Sequence, residues 1–348
     1  MPENCELPSK IGPLGENLIY LIGLPRSGTT LLSQILNKHP DIVAPPEPWI
    51  MLALEQMGRV DQHHTANAWV LHSAVKEFAG EQGLTAASRA AARTLYNAHL
   101  SSTHKSYFLD KTPRYLFILD YLKAVFPRAK FLCLVRNPLD IAASYLTSFH
   151  VNLANVFDEL IDTPYLFDMT IGLSRLDDYV SKTSDSTPVI RYEDMVRQPA
   201  DTLTAVLKQL GMATEPETIA EMCRLEPREL KPGQFGDRKI LSTMAPHCQS
   251  IDRYQTSFKP SELQSLLNVI GTERLLRLGY ENAVFHLKQK GIRERPEFPR
   301  DQFDDRVNQL FQARLAPPRY ISVPKPQRLH RLRKLARSIG VYPWRPQR

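Results

Sequence analysis

The stretch that decides the fold is residues 19–32, IYLIGLPRSGTTLL. A short apolar run over residues 18–22 leads into a tight turn that contains Gly23, Pro25 and Gly28, and an apolar helical pattern follows directly. A strand, a glycine turn and a helix start, in this order, direct free backbone N–H groups and the positive helix end toward a phosphate. The sequence therefore predicts a phosphate-binding loop between a buried strand and a helix.

This loop differs from that of nucleotide triphosphatases. The spacing Gly23-x4-Gly28 matches a P-loop, but Thr29 and Thr30 stand where Lys and then Ser or Thr are required. Arg26 is the only cation between the two glycines. The pattern indicates a phosphate cradle without the lysine that reaches the terminal phosphates, and a purely structural strand-to-helix turn is the alternative.

The length and composition of the sequence are those of a globular protein. With 348 residues, 43% of them hydrophobic, it can bury a large core as one α/β domain or two smaller ones. The sequence contains no run of about 18 apolar residues, so no membrane span is predicted. Residues 1–16 lack the apolar stretch of a signal peptide. We therefore expect a cytoplasmic protein. The four cysteines form no CxxC pair, and we expect neither disulfides nor a metal site.

The net charge of +7 belongs to the C-terminal tail. Residues 318–348 contain nine Lys or Arg and no acid, which leaves 35 basic and 37 acidic residues elsewhere. A near-neutral domain does not suit nucleic-acid binding. Residues 328–339 predict a basic amphipathic helix, which suits an acidic carrier protein or an anionic membrane surface. Docking of this helix on its own domain is the alternative.

Short apolar runs alternate with helical patterns along the chain. Such alternation predicts an α/β fold with a P-loop-type parallel sheet flanked by helices on both faces. The predicted strands lie at 18–22, 42–43, 108–109, 130–135 and 188–192. The predicted helices lie at 29–37, 50–103, 115–126, from 139, and at 151–183, 200–211 and 263–278.

Polar and cationic side chains follow several of these strands, where ligands bind in parallel sheets. Arg26 lies in the first loop, Lys111 precedes Thr112, and Arg136 follows a buried strand with Ser144 eight residues later. Arg136 and Ser144 can hold a phosphate other than the one in the first loop. Two separate anion sites on one sheet fit a nucleotide with 5′ and 3′ phosphates, namely 3′-phosphoadenosine 5′-phosphosulfate.

The motifs resemble those of the sulfotransferase family over about residues 17–280. Residues 25–30 resemble its 5′-phosphosulfate loop, and residues 134–138 with Ser144 are similar to its 3′-phosphate motif. Residues 191–194 resemble its next strand-end motif, and residues 236–239 its late cofactor loop. The subgroup with this first loop includes protein-tyrosine sulfotransferases, bacterial small-molecule enzymes and polyketide-pathway domains.

The resemblance implies sulfuryl transfer to a hydroxyl of a small-molecule, lipid or carrier-bound acceptor, without a metal. It implies catalytic roles for Glu47 as the base, and for Arg26 and Lys111 as cations on the transferring and leaving groups. It divides the chain into residues 1–16, a sulfotransferase domain at 17–285, and a Pro-rich basic extension at 286–348. The implied nucleotide contacts are Arg26, Ser27, Gly28, Thr29, Thr30, Arg136, Ser144, Tyr192, Lys239 and Arg253.

Several alternatives stay open at this point. A histidine can replace Glu47 as the base, the candidates being His63, His64, His104 and His247. A P-loop-type kinase or nucleotide triphosphatase, and a non-catalytic nucleotide-binding module, are the other two functional classes.

Overall fold

A computed structural model describes residues 10–60, 67–182, 187–224 and 248–315. Its sheet has five strands, and every pair is parallel, in the order β2-β3-β1-β4-β5. The predicted α/β class is therefore confirmed. The strands are β1 (Leu18–Gly23), β2 (Ile42–Val43), β3 (Tyr107–Lys111), β4 (Lys130–Val135) and β5 (Val189–Arg191).

Helices connect these strands. Two 3₁₀ turns, Tyr115–Ile118 and Cys248–Ser250, and a π-helical turn, Asp168–Gly172, add to them. The α-helices are α1 (Thr29–Asn37), α2 (Ile50–Glu55), α3 (Ala68–Ser101), α4 (Leu119–Val125), α5 (Pro138–Phe149), α6 (Leu153–Asp158), α7 (Pro164–Phe167), α8 (Leu173–Lys182), α9 (Tyr192–Arg197), α10 (Pro199–Leu210), α11 (Pro216–Met222), α12 (Tyr254–Ser257), α13 (Pro260–Ile270), α14 (Thr272–Arg277), α15 (Glu281–Gln289) and α16 (Arg300–Leu315).

The central strand β1 is buried on both faces, as its continuous apolar run predicts. Leu18, Tyr20 and Ile22 pack into one core with residues of α3, α4 and α5. Ile19 and Leu21 pack into a second core with residues of α1, α9 and α10. Helices therefore cover both faces of the sheet, and the carboxyl ends of β1, β3 and β4 lie side by side.

The prediction of one helix over residues 50–103 is wrong. The chain leaves α2 after Glu55 and resumes a helix at Ala68. Gly58 lies between them with a φ of +82°, and Gly80 kinks α3 with a φ of +62°. Glycine adopts this left-handed backbone at little steric cost, so it interrupts a helical pattern that side-chain periodicity alone extends.

Two other predicted helices are also divided. The helix expected at 263–278 is broken at Gly271, whose φ is +87°. The helix expected at 151–183 becomes α6, α7, the π-helical turn and α8, with Pro164 at the start of α7. Proline suits the first turn of a helix and cannot continue the preceding one, because its nitrogen carries no hydrogen.

Helix α16 lies within residues 286–348, the predicted extension, and packs on the first core through Phe303, Val307 and Phe311. The division of the chain into domains stays a prediction, and the predicted helix at 328–339 lies outside the described residues. Among the helices that the structure describes, none carries an apolar stretch long enough to cross a membrane.

Candidate active site

The predicted phosphate loop connects β1 to α1 at the carboxyl end of the sheet. Gly28 precedes α1 with a φ of +98°, and a Cβ there would lie 2.5 Å from Cδ2 of Tyr192. Position 28 therefore requires glycine for both its backbone conformation and its contact with the Tyr192 ring. The sequence placed Gly28 and Tyr192 in separate motifs, and the structure brings them together.

The loop combines a buried hydroxyl group with the N-terminus of α1. The hydroxyl of Ser27 is buried and has no hydrogen-bond partner among the described residues. No side chain caps the N-terminus of α1, where Thr29 and Thr30 form the first turn. A buried unsatisfied hydroxyl costs about 1–3 kcal/mol, and helix N-termini attract anions. An anion in this loop would satisfy both.

Arg136 joins three segments around the loop. It is buried, and it donates from Nη1 to the Arg26 carbonyl oxygen at 2.9 Å and from Nη2 to the Ser250 carbonyl oxygen at 2.7 Å. Its guanidinium lies over the Tyr192 ring, 4.3 Å from the centroid. Its Nε is buried without a partner among the described residues. The N–H at Nε is therefore a buried donor of Arg136 that the described residues leave unsatisfied.

Arg26 and Ser144, predicted at opposite ends of a nucleotide, are in contact. Arg26 donates from Nε to Ser144 Oγ at 3.1 Å and from Nη2 to Ser148 Oγ at 3.0 Å. Its guanidinium lies 5.1 Å from the centroid of the Phe149 ring. Ser148 and Phe149 were missed by sequence analysis. The one sequence signal for them was their position four and five residues after Ser144, which places them one helical turn further along α5.

Glu47 and Lys111 form a nearly buried ion pair. Lys111 Nζ lies 2.6 Å from Glu47 Oε1, and the side chains are only 2% and 10% exposed. Lys111 also donates to Thr30 Oγ1 at 3.1 Å, and Trp49 Nε1 donates to Glu47 Oε2 at 3.2 Å. Charge attraction is strong where water is excluded. This pair links the predicted base to the first turn of α1 in the phosphate loop.

Two buried carboxylates hold the segment that carries Arg136, and sequence analysis gave neither a role. Glu193 accepts from the Asn137 backbone N–H and from the Tyr280 hydroxyl, both at 3.1 Å. Asp140 accepts from the backbone N–H groups of Asp252 and Tyr254 at 2.9 and 3.0 Å. Burial raises the pKa of Asp140 to about 6 despite these donors. The carboxylates fix the start of α5 against the neighbouring segments.

The other candidates lie apart or outside the described residues. Arg253 is exposed beside the Asp140 contacts, just before α12. His104 is exposed in the turn before β3, at the amino end of the sheet and away from the loop. Lys239, His63, His64 and His247 lie outside the described residues. Within the described ranges, no three His, Cys, Asp or Glu side chains form a metal-binding group.

The chain is similar to several known proteins. Among solved structures, the sulfotransferase domain from the curacin biosynthetic pathway has a TM-score of 0.45 and 21% identity, over 72% of this chain and 95% of that one. Protein-tyrosine sulfotransferase 2 of Gallus gallus is 28% identical over 287 residues, 76% of this chain and 69% of that protein.

A more similar relative is nodulation protein NoeE of Sinorhizobium fredii, which is 35% identical over 294 residues, 80% of this chain and 69% of that protein. The sequence profile of the sulfotransferase family matches residues 19–216, more than half of the chain. The protein belongs to the sulfotransferase family and is a sulfotransferase enzyme.

Proposed function

We propose that the protein transfers a sulfuryl group from 3′-phosphoadenosine 5′-phosphosulfate to a hydroxyl of its acceptor. The observation that carries this proposal is the contact of the Glu47–Lys111 pair with Thr30 of the phosphate loop. A carboxylate and an ammonium group held beside an anion-binding loop supply a base and a cation at the same place. That combination suits transfer of a charged group to a hydroxyl.

The residues of the carboxyl end fit both ends of the donor. The uncapped start of α1 and the Ser27 hydroxyl suit the 5′-phosphosulfate. Arg136, whose buried Nε has no partner among the described residues and whose guanidinium lies over the Tyr192 ring, suits the 3′-phosphate. The Ser144 hydroxyl is already bonded to Arg26, so a nucleotide that reaches Ser144 also meets the Arg26 guanidinium.

The proposed chemistry is an in-line displacement at sulfur. A bond forms between the acceptor oxygen and sulfur, the bond from sulfur to the phosphate oxygen breaks, and Glu47 takes the acceptor proton. Charge develops on the peripheral oxygens, as in phosphoryl transfer. Lys111 stabilises the charge on the leaving oxygen, and the loop N–H groups stabilise the peripheral oxygens. Fixed cations do this without rearranging during the reaction.

Ligand-dependent stability and transfer of label test the proposal together. We expect 3′-phosphoadenosine 5′-phosphate to stabilise the protein by about 2.7 kcal/mol at 100 times its Kd, and ATP with Mg²⁺ to do so far less. Sulfur-labelled donor should then transfer its label to members of a panel of phenols, sugars and aliphatic alcohols. Preference for ATP would favour the kinase class, and nucleotide binding with no transfer, even to water, would favour the non-catalytic module.

The acceptor is proposed to be a small molecule, a lipid or a carrier-bound chain, with the basic residues 318–348 docking the carrier or membrane. The charge difference between tail and domain supports this. Deleting residues 318–348 should raise the KM for a carrier-bound or membrane-bound acceptor, most strongly at low salt. Transfer to a small soluble alcohol should survive, and loss of nucleotide binding in the truncated protein would refute a docking role.

A further inference from the structure

A buried hydrogen-bond network lies behind the Glu47–Lys111 pair. Asp110 is fully buried next to Lys111 at the end of β3. Its Oδ1 accepts from Thr112 Oγ1 at 3.2 Å, and its Oδ2 accepts from the hydroxyls of Tyr115 at 2.8 Å and Tyr96 at 2.6 Å. Three hydroxyls therefore converge on one carboxylate that nothing in the proposed reaction uses.

Two of these hydroxyls also hold the segment that follows Glu47. The Trp49 backbone N–H donates to Thr112 Oγ1, and the Met51 backbone N–H donates to the Tyr115 hydroxyl, both at 3.3 Å. An ionised carboxylate can only accept hydrogen bonds. Because each hydroxyl has a single proton and gives it to Asp110, its oxygen is left to accept from the backbone. Asp110 thus turns both hydroxyl protons away from the backbone, so that each oxygen faces its N–H donor with a lone pair.

The segment held in this way has a strained backbone. Trp49 has a φ of +59°, which is unfavourable for a large side chain. Such a conformation costs about 1–2 kcal/mol and persists only where its surroundings hold it. From this position the Trp49 indole donates to Glu47 Oε2, while Lys111 holds Oε1. Both oxygens of Glu47 are therefore fixed.

We infer that Thr112 and Tyr115, aligned by Asp110, are positioning residues that hold Glu47 against Lys111. The inference rests on the proposed function only in taking Glu47 as the base. Thr112 and Tyr115 act through the backbone of residues 49–51, and the indole of Trp49 carries their effect to the Glu47 carboxylate.

Tyr96 provides a matched control. Its hydroxyl donates to the same oxygen of Asp110 as that of Tyr115, and both side chains are buried. The bonds that the structure gives the Tyr96 hydroxyl do not include the Glu47 segment. Tyr96→Phe and Tyr115→Phe each remove one donor from Asp110, but only Tyr115→Phe removes the acceptor of the Met51 N–H.

The test follows solvent exchange of the Trp49 indole proton by NMR in the full chain, assigned by its loss in Trp49→Phe. We expect Tyr115→Phe and Thr112→Val to accelerate this exchange roughly five- to tenfold, the factor for losing one hydrogen bond. Thr112→Ser, which keeps the hydroxyl, should exchange at the wild-type rate. Tyr96→Phe should also lower the Tm, because Asp110 loses a donor, but it should leave the exchange unchanged.

Kinetics of transfer from the labelled donor separate this inference from the proposed function. Tyr115→Phe and Thr112→Val should lower kcat roughly five- to tenfold with an unchanged Kd for 3′-phosphoadenosine 5′-phosphate. Equal indole exchange in the Tyr96 and Tyr115 variants would overturn the inference, whatever the enzyme transfers. If the variants show the expected exchange rates but the wild type transfers no sulfuryl group, the positioning network is supported and the proposed function is refuted.

Discussion

The two ends of the sheet place positive charges in opposite electrostatic settings. At the amino end, Lys105 Nζ donates to the carbonyl oxygens of Asn37, the last residue of α1, of His39 in the next turn and of Ile42 at the start of β2. Lys130 Nζ likewise donates to the carbonyl oxygen of Leu210, the last residue of α10, at 2.8 Å. These cations lie at negative helix ends and are stabilised by the protein itself.

At the carboxyl end, the cations lie beside positive helix ends. Arg26 precedes α1, and Arg136 precedes α5 and donates to the Arg26 carbonyl oxygen. The N-terminal dipoles disfavour the Arg136 guanidinium before α5 and the Lys111 ammonium group, which donates to Thr30 in the first turn of α1. The Arg26 guanidinium instead extends to Ser144 and Ser148 within α5. From this comparison we expect a cation's position relative to helix ends to separate a structural role from a binding role.

The largest expected effect is the loss of turnover when Glu47, at the carboxyl end of the sheet, is replaced. Glu47→Gln keeps the shape of the side chain and removes the base, so kcat should fall by about 10²–10⁴. The Kd for 3′-phosphoadenosine 5′-phosphate, measured by calorimetry, should stay within about threefold, or 0.7 kcal/mol. Arg26→Ala should instead weaken both binding and turnover. Wild-type turnover by Glu47→Gln would show that the base is another group.

The next largest effect is on nucleotide affinity, and it distinguishes the proposed 3′-phosphate site from the proposed 5′-phosphosulfate site. Arg136→Ala should weaken binding of 3′-phosphoadenosine 5′-phosphate by at least about tenfold, since a charge-assisted hydrogen bond contributes roughly 1.5–3 kcal/mol. Binding of AMP, which lacks the 3′-phosphate, should hardly change. Titration calorimetry with both nucleotides measures this difference, and equal losses would contradict the assignment of Arg136.

Replacing a cation at the amino end of the sheet should lower stability and leave nucleotide binding unchanged. Lys105→Met removes three hydrogen bonds to the segment from the end of α1 to the start of β2, and the free energy of unfolding should fall by about 1–2 kcal/mol. The Tm increase on adding 3′-phosphoadenosine 5′-phosphate should be the same as in the wild type. Reduced nucleotide binding by Lys105→Met would break the distinction between the two ends of the sheet.

The smallest expected effect is a pH dependence of stability. Burial raises the pKa of Asp110 from 3.8 to about 6, although three hydroxyls and Lys111 favour its ionised form. The folded protein therefore holds this proton more tightly than the unfolded chain. The resulting stability is fully present below pH 3.8 and is lost as the pH rises through 6.

Asp110→Asn should remove this dependence. Relative to the variant, the wild type should gain about 1 kcal/mol of unfolding free energy between pH 8 and pH 5. Urea unfolding of both proteins at the two pH values measures the difference. An identical pH response in the two proteins would contradict a raised pKa at Asp110.

Local features made the strands and the loop predictable. Short runs rich in apolar residues predicted the positions of all five strands, and the run is continuous in β1 because a strand buried on both faces has no polar side. Gly23 and Gly28 predicted the turn of the phosphate loop. Helix ends were less predictable. Gly80 and Gly271 interrupt helices because their φ angles are positive, and the spacing of apolar side chains carries no information on φ.

By itself the sequence determined the parallel α/β class, the phosphate loop and its family. Those depend on neighbouring residues and on fixed spacing along one chain. Only the tertiary structure decided that Glu47 meets Lys111, that Arg26 rests on Ser144 and Ser148, and that Asp110 orders the hydroxyls behind them. These contacts join segments brought together by strand order, and no local pattern specifies the direction of a hydrogen bond between them.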